Sequence, residues 1–599
     1  MVNLTINNTP VQAPDGSTIL EAARLAGIHI PTLCYLEDVQ AIGACRVCVV
    51  EVEGARALVP SCVAPAAEGM KVKTNTRRVR DARRTVVELL MSDHAGDCKT
   101  CDRNDDCEFQ ALARDLGIRQ VSWPGAMNPS CKDDSTPALV RDSGKCVLCR
   151  RCVTVCNAVQ GVGALFPQAR GFKTVVGPAF GRSLDTVTCV QCGQCSAVCP
   201  VGAISERDDT GKVWAALEDP VKFVVVQTAP AIRAALGEEF GFAPGTLVTG
   251  KMTAALRRLG FHAVFDTNFT ADLTILEEGT ELLMRLKAAL VGNGESHKDG
   301  HHAYGPLPLA TSCCPAWIKN CEHFHPDFLK NLSTCKSPQQ MFGAAAKTYY
   351  SRTIAKHPSD ICVVSIMPCT AKKYEAERPE MEASWQRDVD VVLTTRELAR
   401  MIKEAGIDFA NLPDEQMDQP MGMSTGAADI FANTGGVMEA ALRTAYEIVT
   451  GRQLPFDGLR VKPIETLEGI KEAELTFRGV QPAWNFLEGV TARVAVAHGL
   501  ANANRLVDRI RKGEATYHFV EVMSCPGGCI GGGGQPRMTT QAVRKARIEA
   551  IFREDQGKQM RKSHENPQVR QAYEAFFQTP NSDLSHRFLH TQYFGRDRV

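Results

Sequence analysis

Near its start the chain alternates apolar and polar positions, then changes period. "LTINNTPVQAPDGSTILEAARLAG" reads strand, turn, strand, helix, with Thr18 and Glu21 spaced as a capping box at the helix start. "CRVCVVEVEG" returns to strand alternation, so this region predicts a small β-grasp layout. From about residue 211 the texture changes. Short apolar runs alternate with helical patterns in "VKFVVVQTAP", "ICVVSIMPC", "VDVVLTTRELARMIKEAG", "ARVAVAHGLANANRLVDRI" and "YHFVEVMSC". Thr394 and Glu397 form a second capping box. Runs without a polar face predict buried strands, hence an α/β domain with parallel pairing and sites in the loops after strand ends. "EEGTELLMR" sets Glu278, Glu281 and Arg285 along one helix face, and its plain reading is a solvated charged stripe.

Composition narrows the class. The 599 residues carry 68 Lys+Arg and 68 Asp+Glu, so no net charge points to nucleic acid or an anionic membrane. No apolar run is long enough to span a bilayer. The start lacks a basic end followed by an apolar stretch, and Arg83-Arg84 lies too far inside for a twin-arginine signal, so a cytoplasmic, reducing compartment is expected. The 24 cysteines fall in tight clusters, which suit metal centres better than long-range disulfides.

The first cluster is Cys34, Cys45, Cys48 and Cys62, four thiols that suit a [2Fe–2S] centre, with zinc as the alternative. The second, "HAGDCKTCDRNDDC", offers His94, Cys98, Cys101 and Cys107. By spacing alone His94 and Cys131 are equal candidates for its fourth ligand; a neutral imidazole there would make the site less negative. "CVLCRRCVTVC" and "CVQCGQCSAVCP" both follow the two-cluster ferredoxin run, in which the fourth cysteine crosses to the other cube. Cys146, Cys149, Cys152 and Cys199 are therefore assigned to one cube, and Cys189, Cys192, Cys195 and Cys156 to the other. Asn157 replaces the usual proline after the first run, which leaves the ligand count intact.

Three later segments carry cysteines at the ends of apolar runs: "TSCCPAW", "IMPCTAKKYE" and "EVMSCPGGCIGGGGQP". They hold Cys313, Cys314, Cys369, Cys525 and Cys529, too far apart for spacing to show that they converge. "GGGG" is not a phosphate loop, because no Lys-Ser/Thr follows, and no Gly-x-Gly-x-x-Gly occurs. Gly527, Gly528 and Gly531 to Gly534 suggest close backbone approach to a bulky ligand.

These three segments resemble the signature loops of the [FeFe]-hydrogenases, and the N-terminal clusters match that family's large, multi-cluster type, so the resemblance covers nearly the whole chain. It implies a multidomain α+β and α/β fold. Its parts would be a β-grasp [2Fe–2S] domain (1–79), a His/Cys3 [4Fe–4S] domain (80–125), a two-[4Fe–4S] ferredoxin-like domain (126–210), an α/β H-cluster domain (211–540) and a C-terminal helical extension (541–599). It implies that Cys314, Cys369, Cys525 and Cys529 hold a [4Fe–4S] cube, with Cys529 bridging to a two-iron unit bearing CO, cyanide and azadithiolate. The cofactor set becomes one [2Fe–2S] cluster, three [4Fe–4S] clusters and one H-cluster, with His94 as a ligand.

The implied reaction is 2H⁺ + 2e⁻ ⇌ H₂. Cys313 would exchange the proton, its unperturbed pKa of about 8.5 letting it give and take near neutrality. Lys372 would bond a cyanide ligand, Ala229, Pro230, Gln339, Met367, Phe431 and Met523 would line the pocket, and Glu278, Ser333, Glu281 and Arg285 would relay protons. Cys321, Cys335 and Cys362 read as buried structural thiols.

Within the family, the chain resembles the catalytic subunits of NAD(P)-linked, NADP-reducing or electron-bifurcating enzymes. It carries no flavin or nucleotide motif, so NAD(P)-binding flavin/iron–sulfur subunits would be its partners, with a stand-alone ferredoxin-dependent enzyme as the alternative. Maturation proteins would insert the two-iron unit. The N-terminal third also resembles iron–sulfur subunits of respiratory complex I and some formate dehydrogenases, which lack the three later loops. An iron–sulfur assembly or interaction protein is the non-catalytic alternative, expected to lose Cys313 or Lys372. The stretch 291–305, with His297, His301 and His302, reads as a surface loop able to bind metal.

Overall fold

The computed structural model describes residues 1–123, 125–291, 304–454, 462–464, 467–537 and 539–597; the His297, His301 and His302 loop lies outside the described residues. The N-terminal sheet orders its strands Thr9–Ala13, Val2–Ile6, Lys71–Lys73, Val49–Val52 and Val59–Pro60, and the helix Ile19–Leu25 packs on it. Thr18 and Glu21 make the full capping box. Of "CRVCVVEVEG" only Val49–Val52 is strand: the cysteines ahead of it sit in a loop where Arg46 takes a left-handed φ of 60°. That conformation bends the chain out of the ladder, and it overrides the alternation.

The α/β region contains two sheets rather than one. The first is parallel throughout, ordered Ala263–Asp266, Phe223–Thr228, Ile361–Met367 and Val391–Thr394. Every residue of Ile361–Met367 is buried, as a strand covered on both faces requires. The second sheet runs Leu309–Ala310, Phe519–Met523, Thr491–His498, Leu467–Thr476 and Lys462–Ile464. Its first three strands are parallel, and the last two pair antiparallel. The strands Phe223–Thr228, Leu309–Ala310, Ile361–Met367 and Phe519–Met523 each feed a loop that carries candidate site residues at its carboxyl end.

Between the sheets runs the helix Thr267–Val291, 25 residues long and buried through most of its length. The C-terminal region adds the helices Gln541–Gly557, Pro567–Ala572 and Asp583–Leu589. It is tied to that long helix by Tyr573 and Asn581, which donate to Glu277 at 2.7 Å each, and by Asn566, which donates to Asp272 at 2.9 Å.

Candidate active site and electron path

Cys313, Cys314, Cys369, Cys525 and Cys529 line one cavity enclosing about 690 Å³. Its wall also includes Ala229, Pro230, Gln339, Met367, Lys372, Phe431, Met523 and Gly528. Loops far apart in sequence thus deliver five thiols to one chamber. Cys314 caps the helix Pro315–Phe324, whose first turn brings partial positive charge toward the sulfur. Two smaller cavities lie in the ferredoxin-like part. One, of about 400 Å³, is lined by Cys146, Cys149, Cys152 and Cys199; the other, of about 460 Å³, by Cys156, Cys189, Cys192 and Cys195. Each set of four surrounds its own space, with the fourth cysteine of each run crossing over.

The donor chemistry fits iron–sulfur groups. Among the described residues no three His, Cys, Asp or Glu side chains close on a point that could hold a single ion, as tetrahedral zinc would need. The thiols instead ring volumes large enough for a cube, and the largest cavity exceeds the other two. Gln339 lines it with a buried Oε1 that has no partner among protein atoms, a polar group awaiting a ligand. In the N-terminal domain Cys34 neighbours Cys45 and Cys62, and Cys62 neighbours Cys48, each within hydrogen-bonding reach of the next. The four thiols of this domain thus stand side by side as one ligand set.

The glycines behave differently from expectation. Gly528, at φ 99°, lines the cavity, but Gly531 to Gly534 do not. A Cβ on Gly532 would lie 2.2 Å from the Pro368 carbonyl oxygen, and one on Gly533 2.5 Å from that of Cys192. These glycines let signature loops press on each other and on the ferredoxin-like part, not on a ligand.

Lys372 donates from Nζ to Glu375 Oε2 at 2.8 Å and to the Cys313 carbonyl at 3.1 Å. Burial works against its charge, but the Glu375 carboxylate outweighs it and raises the pKa. Ser337 and Gln339 donate to the same oxygen of Glu375, at 2.8 and 3.1 Å. The ammonium is therefore fixed at the chamber wall by a partner that sequence reading left without a role.

Glu278, Glu281, Ser333 and Arg285 form a buried chain rather than a solvated stripe. Ser333 Oγ donates to Glu281 Oε2 at 2.8 Å and stands within hydrogen-bonding reach of Glu278. Arg285 Nε donates to Glu281 Oε1 at 3.1 Å. Burial, reinforced by the Glu281 charge, pushes Glu278 up to about 8. The Cys313 thiol is raised well above its ordinary value, first by burial and then by Glu278. This corrects the expectation of a near-neutral Cys313: enclosed in this way, it holds its proton as a thiol.

The outer centres are joined to the chamber by backbone. Gln194 Nε2 donates to the Gly531 carbonyl at 2.9 Å, Gln160 Nε2 to Ser524 at 3.0 Å and Thr370 Oγ1 to Gln191 at 2.7 Å. The cavity of Cys156, Cys189, Cys192 and Cys195 therefore abuts the signature loops. Gln40, buried and unpredicted, donates from Nε2 to the Cys34 carbonyl at 2.7 Å and to the Cys149 carbonyl at 3.0 Å. Arg103 Nη1 donates to the Cys199 carbonyl at 2.7 Å, and Cys101 Sγ lies 2.7 Å from a Cβ placed on Gly202. Both outlying centres thus meet the cavity of Cys146, Cys149, Cys152 and Cys199. His94 is half-buried with an unpartnered Nδ1, and burial lowers its pKa, favouring neutral imidazole; Cys98 and Cys131 are exposed and Cys107 half-buried.

Three thiol-lined cavities in neighbouring parts of one chain, the largest of them with the buried Glu278 beside its Cys313, define an iron–sulfur protein. Residues 222–533 match the iron-only hydrogenase large subunit, C-terminal domain. Residues 1–77 match a 2Fe-2S iron-sulfur cluster binding domain, 83–122 an NADH-ubiquinone oxidoreductase-G iron-sulfur binding region, 145–203 a 4Fe-4S dicluster domain and 541–596 the iron hydrogenase small subunit. Over the full length of both chains the sequence is 51% identical to the NADP-reducing hydrogenase subunit HndD of Solidesulfovibrio fructosivorans. It is 38% identical to iron hydrogenase 1 of Clostridium pasteurianum, covering 99% of this chain and all of that one. The structure of apo [FeFe]-hydrogenase HydA1 from Chlamydomonas reinhardtii superposes with a TM-score of 0.58 at 42% identity, over 65% of this chain and 99% of that one. The chain belongs to the iron-only, or [FeFe], hydrogenase family and is an oxidoreductase acting on H₂.

Proposed function

We propose that this chain is the H₂-handling subunit of an enzyme that interconverts protons and H₂ and exchanges the electrons with NADP(H) through partner subunits. The observation that carries the reading is the convergence of five thiols from three loops on one chamber. Full-length similarity to an NADP-reducing subunit supports the coupling. The absence of a recognisable nucleotide motif in this chain assigns nicotinamide chemistry to partners, and that chemistry favours a cytoplasmic setting.

Cys314, Cys369, Cys525 and Cys529 would hold the cube of an H-cluster, which would supply the iron chemistry for interconverting protons and H₂. The other centres would be one [2Fe–2S] cluster on Cys34, Cys45, Cys48 and Cys62, a [4Fe–4S] cluster on His94, Cys98, Cys101 and Cys107, and two ferredoxin-like cubes. Lys372, neutralised by Glu375, would offer its remaining N–H to an anionic ligand in the chamber. Met367, Met523, Phe431, Ala229 and Pro230 would keep bulk water away. Cys313 would hold the proton delivered to the chamber. Glu278 would resupply it, with Ser333, Glu281 and Arg285 completing the path outward.

Retention of Cys313 and Lys372 argues against a non-catalytic assembly protein. The test is purified, matured chain supplied with reduced dye, NADPH or NADH in turn. H₂ from dye alone is the expected result; H₂ from NADPH or NADH with a single pure chain would remove the partner-subunit reading. Infrared bands of CO and cyanide, absent after Cys529→Ser, would establish the cofactor assignment apart from turnover.

A further inference from the structure

Arg141 and Ile204 are cross-strand partners in a small sheet, and they are the residues common to the walls of both ferredoxin-like cavities. Both fall outside the segment 145–203 that matches the dicluster domain. Alternation in the strand Leu139–Asp142 buries Leu139 and Arg141, so a guanidinium stands where the pattern calls for an apolar side chain.

Arg141 is 7% exposed, and no carboxylate lies within ion-pairing distance of it among the described residues. Its Nη1 donates to the Val176 carbonyl at 3.1 Å, and its Nε is buried with no partner. Asp133, opposite it across the ladder, spends its carboxylate on Ser135 and the Leu184 backbone. Asp142, next in sequence, is engaged by Ser130, Gly144 and Lys145. Other buried arginines of this region are neutralised: Arg103 lies 3.4 Å from Asp106, and Arg151 lies 2.8 Å from Glu108. Arg150 borders the cavity of Cys146 as well, but it is exposed, and water screens its charge. A buried charge without a counter-ion is costly. The sulfurs of the cavity are the groups left to answer it. The charge of Arg141 reaches Cys146, where it opposes the effect of burial on the thiol.

We propose that Arg141 is the counter-ion of the cluster held by Cys146, Cys149, Cys152 and Cys199, and that it makes this cluster the resting place of an electron in the relay. A cube bound by four thiolates is negatively charged. Reduction adds one electron, and no bond or proton changes hands. A fixed cation in a dry wall favours the reduced form and so raises the potential. This cavity is also the one that both outlying centres meet, through Gln40 at Cys149 and Arg103 at Cys199. Electrons from either branch would therefore fall into one acceptor held ready for them. The inference rests on the iron–sulfur assignment proposed above. The rival role is mechanical: Arg141 fastens the strand Val175–Gly177 through its single bond to Val176.

The test is a redox titration of the full cluster-bearing chain followed by electron paramagnetic resonance, with iron per chain counted first. Arg141→Gln keeps a donor for Val176 and loses the charge; Arg141→Lys keeps the charge and loses the planar fork. In Arg141→Gln we expect the ratio of reduced to oxidised cluster to fall about tenfold at a fixed potential for one [4Fe–4S] component, a shift of about 59 mV to more negative values. The [2Fe–2S] component should not move, and Arg141→Lys should stay near the wild-type potential. Unchanged potentials in Arg141→Gln, or equal shifts in the two variants, would overturn the proposal in favour of the mechanical role. If Arg141→Gln fails to retain its cube, loading decides: retention in Arg141→Lys supports a counter-ion, and loss from both variants overturns it. A wild-type chain without [4Fe–4S] signals would strike the iron–sulfur assignment itself, an outcome distinct from equal potentials.

Discussion

Glu278 is enclosed beside a second carboxylate, and its pKa of about 8 makes it a neutral acid at pH 7. The sign for stability follows. The folded state keeps a proton that the unfolded state releases near pH 4.3, roughly. The contribution is thus fully present below that pH and is lost as pH rises through about 8. Turnover that draws on the protonated acid should decline over the same upper limb. Glu278→Gln keeps the volume and removes the titration. We expect H₂ turnover to fall by about 10²–10⁴-fold, with the melting temperature less sensitive than in wild type to a rise in pH from about 4.3 to about 8; an unchanged rate would exclude Glu278 from the path. At the chamber wall, Lys372→Met leaves the buried Glu375 carboxylate without its cation. That change should cost about 3–5 kcal/mol in denaturant unfolding, and Lys372→Met/Glu375→Met should recover most of it. The cysteines that line the chamber stood out in three short segments, but their convergence and the other wall residues were reached through the family resemblance, because spacing carries no information between distant loops. Glu375 was visible as a motif position but not as a partner, and Gln40 not at all, because its two acceptors lie 6 and 109 residues away.

The long helix Thr267–Val291 shows how one element serves two neighbours. Glu278 and Glu281 face Ser333, while the adjacent Glu277, fully buried, is held by Tyr573, Asn581 and His590 Nε2, the last at 3.1 Å. The periodicity of the segment predicted its helical form, and both capping boxes were readable from four residues each. The sequence could not show that the helix is wrapped on a second side, since the wrapping residues lie some 300 positions onward and obey no local period. The C-terminal region buries its own polar groups against this helix and satisfies Asp272 through Asn566. Removing 541–599 would strip Glu277 of Tyr573, Asn581 and His590 and leave Asp272 with Thr425 in place of two side-chain donors, each lost bond costing about 1–3 kcal/mol. We expect residues 1–540 alone to be insoluble or unfolded. A separate polypeptide of 541–599, which matches a small subunit, should restore a folded complex on coexpression. Gel filtration of the two-chain product checks this, and a stable, monomeric 1–540 would contradict it.

Across the whole molecule the domains are joined where electrons would have to cross, and by the backbone of the ligand segments themselves. Gln40 fastens the carbonyl behind Cys34 to the one behind Cys149, and Thr154 closes the bridge by donating to the same amide. Leu33 and Val47 reach the same apolar cluster as Val147 and Cys149, but these are single positions in loops without a period, so the hydrophobic pattern that revealed the sheets did not reveal this contact. A polar bridge between two ligand loops fixes their separation more narrowly than packing alone, because hydrogen bonds weaken steeply with angle and distance. Gln40→Leu retains the bulk but leaves both carbonyls and the Thr154 hydroxyl unpaired in a buried site, so the first domain should loosen while its own sheet stays intact. We expect the four N-terminal cysteines still to hold their cluster, with an unchanged iron content and an unchanged electron paramagnetic resonance signal from the reduced two-iron centre. Electron passage from that centre to the next, followed by rapid freeze-quench after partial reduction, should slow. Dye-driven H₂ evolution that enters through the other outlying centre, joined by Arg103 to Cys199, should persist. Equal transfer rates in Gln40→Leu and wild type would mean that the path does not cross the Cys34–Cys149 contact, and the route would then have to begin at the His94 end.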